Sequence, residues 1–321
     1  MRLDKYLKVS RLIKRRTVAN EVADAGRILI NGKIAKASQA VKAGDVIEVT
    51  FGNRPIKVRV LSDVEPRTKD VARDMVFAAN QAGCGFLGRP LVEATGSLRN
   101  FRTQAQIGGT DEVTAFHAAV AELLSRLNGW EKPAPIRHVL ALHASQRATS
   151  NTLALWELVK AGLPADLGVQ EICLRNGTMA DCNGCSYAAC LHFGEQGGCF
   201  YGGPMVDEVY PAVRKCDALV MLCANYNDAL AANLTACVNR LTALFRQTRM
   251  YDKRIFGLIV SGYSGGDLLA RQLISALNMN KSFYLPPRFS LLETANERGS
   301  LVKLPGIEAQ AAAFARHIAE S

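Results

Sequence analysis

No run of apolar residues in this chain reaches the length that crosses a bilayer, and charge interrupts Met1 to Arg16 too often for the hydrophobic stretch of a secretory leader. These absences point to a cytoplasmic protein without a membrane partner. Disulfides are rare in that reducing compartment, so the nine cysteines read as thiols or metal ligands. Polar, low-hydrophobicity composition is missing too. With 49% hydrophobic and 21% charged residues over 321 positions, the chain can bury about one and a half to two domains' worth of core.

Acidic residues are scarce at the front of the chain. The first 76 residues hold 17 Lys and Arg against 9 Asp and Glu, a net +8 out of +10 for the whole protein. Clustered cations gain affinity for polyanions by displacing counterions from phosphates. The asymmetry therefore suggests a polyanion-binding module joined to a near-neutral globular body.

Within the basic module, Leu3, Tyr6 and Leu7 share one face of a short helix. A second helix runs from Thr17 as N-cap to Gly26 as left-handed stop, with Val18, Val22 and Ala25 at helical spacing. Arg11, Lys14, Arg15 and Arg16 fall around the bend between the two. Asn31-Gly32, set between Ile28-Leu29-Ile30 and Lys33-Ile34, predicts a tight hairpin. Val46 to Phe51 and Ile56 to Val60, with Gly52-Asn53 between them, predict a second, in which Ile56, Val58 and Val60 face inward. The expectation is a small α+β domain, basic on one side.

Met-Arg-Leu-Asp-Lys-Tyr-Leu at the start, the helix from Arg16 to Gly26, and Ile28-Leu-Ile-Asn-Gly-Lys together resemble the S4 RNA-binding domain. The likeness is strongest to its stand-alone ribosome-associated members, the RqcP and heat-shock types. That resemblance implies rRNA, tRNA and the large ribosomal subunit as partners, in quality control of stalled complexes. Arg2, Lys5, Arg11, Arg15, Arg16 and Lys33 are the expected RNA contacts. Such a module would read A-form shape and charge, because the bases of duplex RNA are hidden from side chains. A merely solvated charged face is the alternative.

Pro66 to Asp74 is charged and poor in apolar residues, so it reads as a linker closing a first domain over residues 1–76. Residues 77–135 are expected to form a linking region with one helix, carrying Val113, Phe116, Val120, Leu123, Leu124 and Leu127 behind a Thr110-Asp111 cap. No chemistry is legible there.

Residues 136–321 alternate apolar strand candidates (Val139 to His143, Val169 to Leu174, Ala218 to Cys223, Ile255 to Ser261) with helices at 152–161, 229–246 and 267–277. That alternation predicts an α/β doubly wound parallel sheet with ligand loops at the strands' C-terminal ends. The first loop, His143 to Thr152, offers hydroxyls, an amide and a helix N-terminus, which suit a phosphate monoester. It has neither the G-x-G-x-x-G of dinucleotide folds nor the lysine of a P-loop, and an ordinary capped polar loop is equally compatible.

Four segments carry a resemblance to the flavodoxin-like NAD(P)H-dependent FMN reductases: Ala144-Ser-x-Arg-x-x-Ser-Asn-Thr152, Cys182-Asn-Gly-Cys185, Asp217 to Asn227, and Val260-Ser-Gly-Tyr263-Ser-Gly265-Gly266. The resemblance implies FMN as cofactor and NAD(P)H as co-substrate. Ser145, Arg147, Ser150, Asn151 and Thr152 would hold the phosphate, and Asn225, Tyr226 and Asn227 would line the edge and face of the flavin ring. Gly262, Tyr263, Ser264 and Gly265 would close its other side. Asn225 stands where many members carry proline, and Tyr226 could alternatively plug its loop against the sheet. Hydride transfer to flavin uses the cofactor's own chemistry, so no catalytic side chain is assigned and the missing triad excludes nothing.

Cys182, Cys185, Cys190 and Cys199 form C-x2-C-x4-C-x8-C, with Ala188 where a tighter spacing would put the third cysteine. Four soft donors this close could hold a [4Fe-4S] cluster or zinc, or no metal at all. Cys173, Cys216, Cys223 and Cys237 fall within strand or helix patterns and read as core. The helix at 229–246 could pack on the sheet and also support a homodimer. Three functions follow: a bifunctional fusion of an RNA-binding module with a flavin-dependent oxidoreductase, a ribosome quality-control factor with a passive flavodoxin-like part, or a reductase whose basic extension adds little.

Overall fold

The computed structural model describes residues 1–10, 12–13, 16–51, 54–60, 69–94, 97–146, 149–174 and 179–321. It divides into two units, Met1–Ala72 and Arg73–Ser321. In the first, α1 (Leu3–Val9) and α2 (Arg16–Asp24) precede β1 (Ile28–Ile30), β2 (Lys33–Ile34), β3 (Val46–Phe51) and β4 (Arg54–Arg59). The strands form an antiparallel sheet in the order β2-β1-β3-β4. Asn31 (φ 51°) and Gly32 (φ 79°) are both left-handed, the geometry a two-residue hairpin turn demands. Asn31 then pins that turn to β3: its Oδ1 accepts from the Val46 N–H at 2.8 Å and its Nδ2 donates to Asp45 at 2.9 Å.

Leu3 and Leu7 from α1 and Ala19 and Ala23 from α2 bury against Ile28, Ile47 and Val49 of the sheet. Two details differ from expectation. Helix α2 already starts at Arg16, ahead of Thr17. Ile56 is 43% exposed, because β4 is an edge strand with only β3 beside it.

From α3 (Lys69–Gln81) onward, the second unit contains α4 (Arg102–Gly108), α5 (Glu112–Asn128), β5 (His138–His143), α6 (Asn151–Ala161), β6 (Gly168–Cys173) and α7 (Tyr187–Glu195). It continues through α8 (Tyr210–Lys215), β7 (Ala218–Ala224), α9 (Ala232–Gln247), β8 (Arg254–Ser261), α10 (Gly266–Leu273), β9 (Ser290–Thr294) and α11 (Ile307–Glu320). Five parallel strands lie in the order β6-β5-β7-β8-β9, the flavodoxin-like arrangement. Alternation along the strands splits the core in two. Val139, Ala141, Val220 and Phe256 pack with α6 and α11, whereas Leu140, Leu142, Met221 and Ile259 pack with α8, α9 and α10. The strand order reverses at β5, so the chain leaves β5 and β7 toward opposite faces and opens a crevice at their C-terminal ends.

The region 77–135, expected as a linking segment with one helix, is built onto this body. Val76 of α3 joins the core beside α9 and α10. Asn80, fully buried, donates to the carbonyls of Cys84 at 3.0 Å and Pro286 at 2.6 Å and accepts from the Phe289 N–H at 3.1 Å. Phe86 bridges Leu285, and Arg126 of α5 donates to the Gly88 carbonyl at 2.7 Å. The Pro286 and Phe289 partners of Asn80 lie some two hundred residues downstream, where local sequence patterns cannot reach. Cys173 is also corrected: it ends the edge strand β6 and is exposed, while Cys216, Cys223 and Cys237 are buried. Among the described residues no helix is long and apolar enough to cross a membrane.

Candidate functional site

In the first unit, cations gather on one buried anion. Asp4 is 1% exposed and receives Arg2 Nη2 and Arg16 Nη2, each at 3.0 Å, while the two arginine side chains remain 55% and 49% exposed. Burial alone would raise the Asp4 carboxyl pKa. The hydrogen bond from Arg16, the Lys5 backbone N–H at 2.7 Å and the bond from Arg2 outweigh it and hold that pKa below its usual value. Lys5 lies on α1 and Lys33 stands exposed on β2. Arg11 and Arg15 fall outside the described residues. Sequence reading missed Asp4, although an acid between Arg2 and Lys5 in a basic module was the available signal.

In the second unit, three loops meet the C-terminal ends of β5, β7 and β8. The first enters α6 through Ser150, whose Oγ accepts from the Leu153 N–H at 3.2 Å, leaving first-turn N–H groups for an anion. Ser145 donates its N–H to His143 Nδ1 at 3.3 Å, which leaves the imidazole proton on Nε2 facing Glu171 Oε1 at 3.2 Å. Trp156 Nε1 donates to the other Glu171 oxygen at 3.0 Å. This network braces the loop from beneath and was not foreseen. The Asn151 side chain also reaches beyond this loop: its Nδ2 donates to the Ala295 and Glu297 carbonyls and its Oδ1 accepts from Gly299, so its amide ties down the 295–299 segment. Thr152 is buried, and Arg147 lies outside the described residues.

The second loop turns through Asn227 and Asp228, both left-handed. Asn225 Nδ2 donates to Asp228 Oδ1 at 3.2 Å and Ser261 Oγ at 3.1 Å, whereas its Oδ1 is buried with no hydrogen-bond partner. A buried acceptor without a donor is costly unless a ligand supplies one. The third loop, Gly262 to Gly265, ends at Gly265 with φ 100°, and a Cβ there would run into the Asp228 carboxylate. Ser264 is exposed beside it. Tyr226 and Tyr263 stand 59% and 63% exposed on these two loops. Unpacked tyrosines, an orphan amide oxygen and a capped helix N-terminus match what a planar ring with a phosphate tail requires.

All four cysteines of the 182–199 segment are free and line one pocket beside α9. Among the described residues, no three His, Cys, Asp or Glu side chains are gathered to hold a single metal ion, so the zinc reading finds no formed site.

Known proteins resemble this chain in both of its parts. The sequence profile of the family described as NADPH-dependent FMN reductase matches residues 137–297, and that of the S4 domain matches residues 1–47. The RQC P-site tRNA stabilizing factor of Streptococcus pneumoniae is 56% identical over 75 residues, 23% of this chain and 85% of that protein. Its Bacillus subtilis counterpart is 57% identical over 75 residues, again 23% of this chain and 87% of that protein. Among solved structures, azoreductase AzrA is 16% identical, covering 57% of this chain and 100% of that one at a TM-score of 0.38. An FMN-dependent NADH-azoreductase from Bacillus anthracis in complex with FMN is 9% identical, covering 57% and 99% at a TM-score of 0.39. The chain thus belongs, through residues 137–297, to the NADPH-dependent FMN reductase family, fused behind an S4 domain of the RQC P-site tRNA stabilizing factor kind.

Proposed function

We propose that this protein is an FMN-dependent NAD(P)H oxidoreductase held at the ribosome by its S4 module. The observation that carries the reading is the meeting of the loops after β7 and β8, within the FMN reductase segment, around Asn225, whose Oδ1 is an orphan acceptor, in a chain that also carries an S4 module of matched kind. In this reading Ser145, Arg147 and Ser150 bind the flavin phosphate at the start of α6, while Asn151 and Thr152 shape the loop. Asn225 accepts from a ring N–H. Tyr226, Asn227 and the Gly262-Tyr263-Ser264-Gly265 loop enclose the ring. Bound FMN would supply the hydride-accepting group; the side chains orient the two rings and exclude water, and none moves a proton.

At the other end, Arg2, Lys5, Arg11, Arg15, Arg16 and Lys33 engage phosphates of rRNA and of tRNA on the large ribosomal subunit. The experiment for the enzymatic half is titration of the flavin-free full chain with FMN, followed by NADPH and NADH oxidation with excess FMN as acceptor. Saturable binding of one flavin per chain and flavin-dependent nicotinamide oxidation are expected. A chain that neither binds FMN nor oxidises either nucleotide refutes the assignment.

A further inference from the structure

The 245 residues after position 76 carry only two of the ten net positive charges, yet three of their cations gather on one ring. Phe245, in the last turn of α9, has the guanidinium of Arg249 4.4 Å from its centroid, that of Arg89 at 5.9 Å and the Lys281 ammonium at 5.9 Å. Three distant parts of the chain supply them. Arg89 belongs to the 77–135 region, where the sequence shows no chemistry, and Lys281 follows α10.

The backbone is shaped to bring them together. Gly88 lies so close to Ser282 that a Cβ on it would overlap the Ser282 carbonyl, the Arg89 N–H donates to the Asn278 carbonyl at 2.8 Å, and Ser282 Oγ accepts from the Met250 N–H at 2.8 Å. These contacts clamp the segments that carry Arg89, Lys281 and Arg249. Arg89 itself sits at φ 51°, a left-handed conformation that is costly for a residue with a side chain and persists only where the surroundings enforce it. Arg126 of α5 adds a brace: it donates to the Gly88 carbonyl at 2.7 Å and stacks on Tyr251 at 4.3 Å.

Little acid offsets this charge. Among the described residues neither Arg89 nor Arg249 forms an ion pair, and Glu122 is already engaged by Arg126 at 3.7 Å and by the Tyr251 hydroxyl at 3.1 Å. An aromatic face attracts cations but bears no net charge, so it gathers them without neutralising them. Lys281 is buried, with Nζ 3.4 Å from Asn280 Oδ1, whereas Arg249 is exposed and Arg89 half-buried. Converging cations that no carboxylate balances attract an anion. Phe245 lies near the end of α9 and Arg249 just ahead of β8, so the cluster stands at the strands' N-terminal ends, away from the loops that would hold flavin and nicotinamide. Two guanidinium groups on an open surface suit neighbouring phosphates of one polymer.

We propose that Arg89 and Arg249, supported by the charge of Lys281, form a second contact for the RNA phosphate backbone, carried by the oxidoreductase unit itself. The inference rests on the ribosome reading above and deepens it: RNA is gripped by both units, and the S4 module is not the sole anchor.

Binding of the full chain to a large-subunit rRNA fragment across a salt series tests the contact. Arg89→Gln combined with Arg249→Gln should lower the slope of log affinity against log salt by about one for each charge removed. Arg249→Gln alone, a change at an exposed side chain, should give about half of that loss, and Arg89→Lys combined with Arg249→Lys should keep the parent slope. Arg316, exposed on α11 across the sheet from α9, is the control, and Arg316→Gln should leave the slope as it is. A parent-like slope in the double glutamine variant, an equal loss in Arg316→Gln, or a loss in the lysine variant overturns this proposal alone. A raised KM for NADPH with RNA binding unchanged would make the cluster a nucleotide site and overturn it as well. A parent chain that ignores the RNA overturns the ribosome reading, and the second contact with it.

Discussion

The Asp4 carboxylate and the Arg16 guanidinium, twelve positions apart, meet at 3.0 Å from both Nε and Nη2 of the arginine. Arg2 meets the same carboxylate, so two like charges are brought together by a buried anion that offsets their repulsion. Their remaining N–H groups stay available at the surface, an arrangement suited to adjacent phosphates.

Arg16→Ala should therefore lower the slope of log affinity against log salt by about one, the signature of one lost phosphate contact. Asp4→Asn keeps every cation but loosens their placement, so affinity should fall about tenfold with the slope unchanged. Binding of the full chain to a large-subunit rRNA fragment across a salt series measures both. An unaltered slope in Arg16→Ala contradicts the assignment of that residue.

Asn80→Ala should destabilise the second unit by about 2 to 4 kcal/mol, since it strips partners from the buried Pro286 carbonyl, the half-buried Cys84 carbonyl and the buried Phe289 N–H. Denaturant unfolding followed by the fluorescence of the buried Trp156 reads the change. A loss under about 0.5 kcal/mol, the size of an ordinary surface substitution, would mean that residues 77–135 are not integral to the body.

His317 links stability to acidity. Burial pushes its pKa below the usual 6.5, while the hydrogen bond from Nε2 to the Pro287 carbonyl at 2.7 Å partly restores it. Above 6.5 the imidazole is neutral in both folded and unfolded chains. As pH falls below that value, the unfolded chain takes up a proton that the folded one resists, so stability drops until the depressed folded pKa is reached. His317→Gln should flatten this part of the profile of melting temperature against pH; an identical profile would refute the link.

Tyr226→Ala and Tyr263→Ala should each weaken FMN binding by about 0.5 to 1.5 kcal/mol, with little change in melting temperature because both rings are exposed. Flavin fluorescence titration separates the two effects. If both variants bind FMN like the parent, the ring does not lie between these loops.

What the sequence reveals here is local. Asn31-Gly32 announces its hairpin because two left-handed residues suffice to make one, and the apolar runs of β5, β7 and β8 announce buried parallel strands. What it conceals is nonlocal. The role of Asn80 depends on Pro286 and Phe289, that of Asn151 on Ala295, Glu297 and Gly299, and that of His143 on Glu171 in the neighbouring strand. Cys173 and Ile56 fail for a related reason: periodicity marks a strand but not whether it lies at a sheet edge.

Sedimentation of purified large ribosomal subunits with the FMN-loaded full chain bears most directly on the central claim that one polypeptide joins flavin chemistry to ribosome binding. Protein and flavin absorbance should appear together in the ribosomal pellet at low salt and leave it together as salt is raised. A pellet that contains the chain without flavin, or ribosomes that sediment free of the flavin-bearing chain even at low salt, would contradict it.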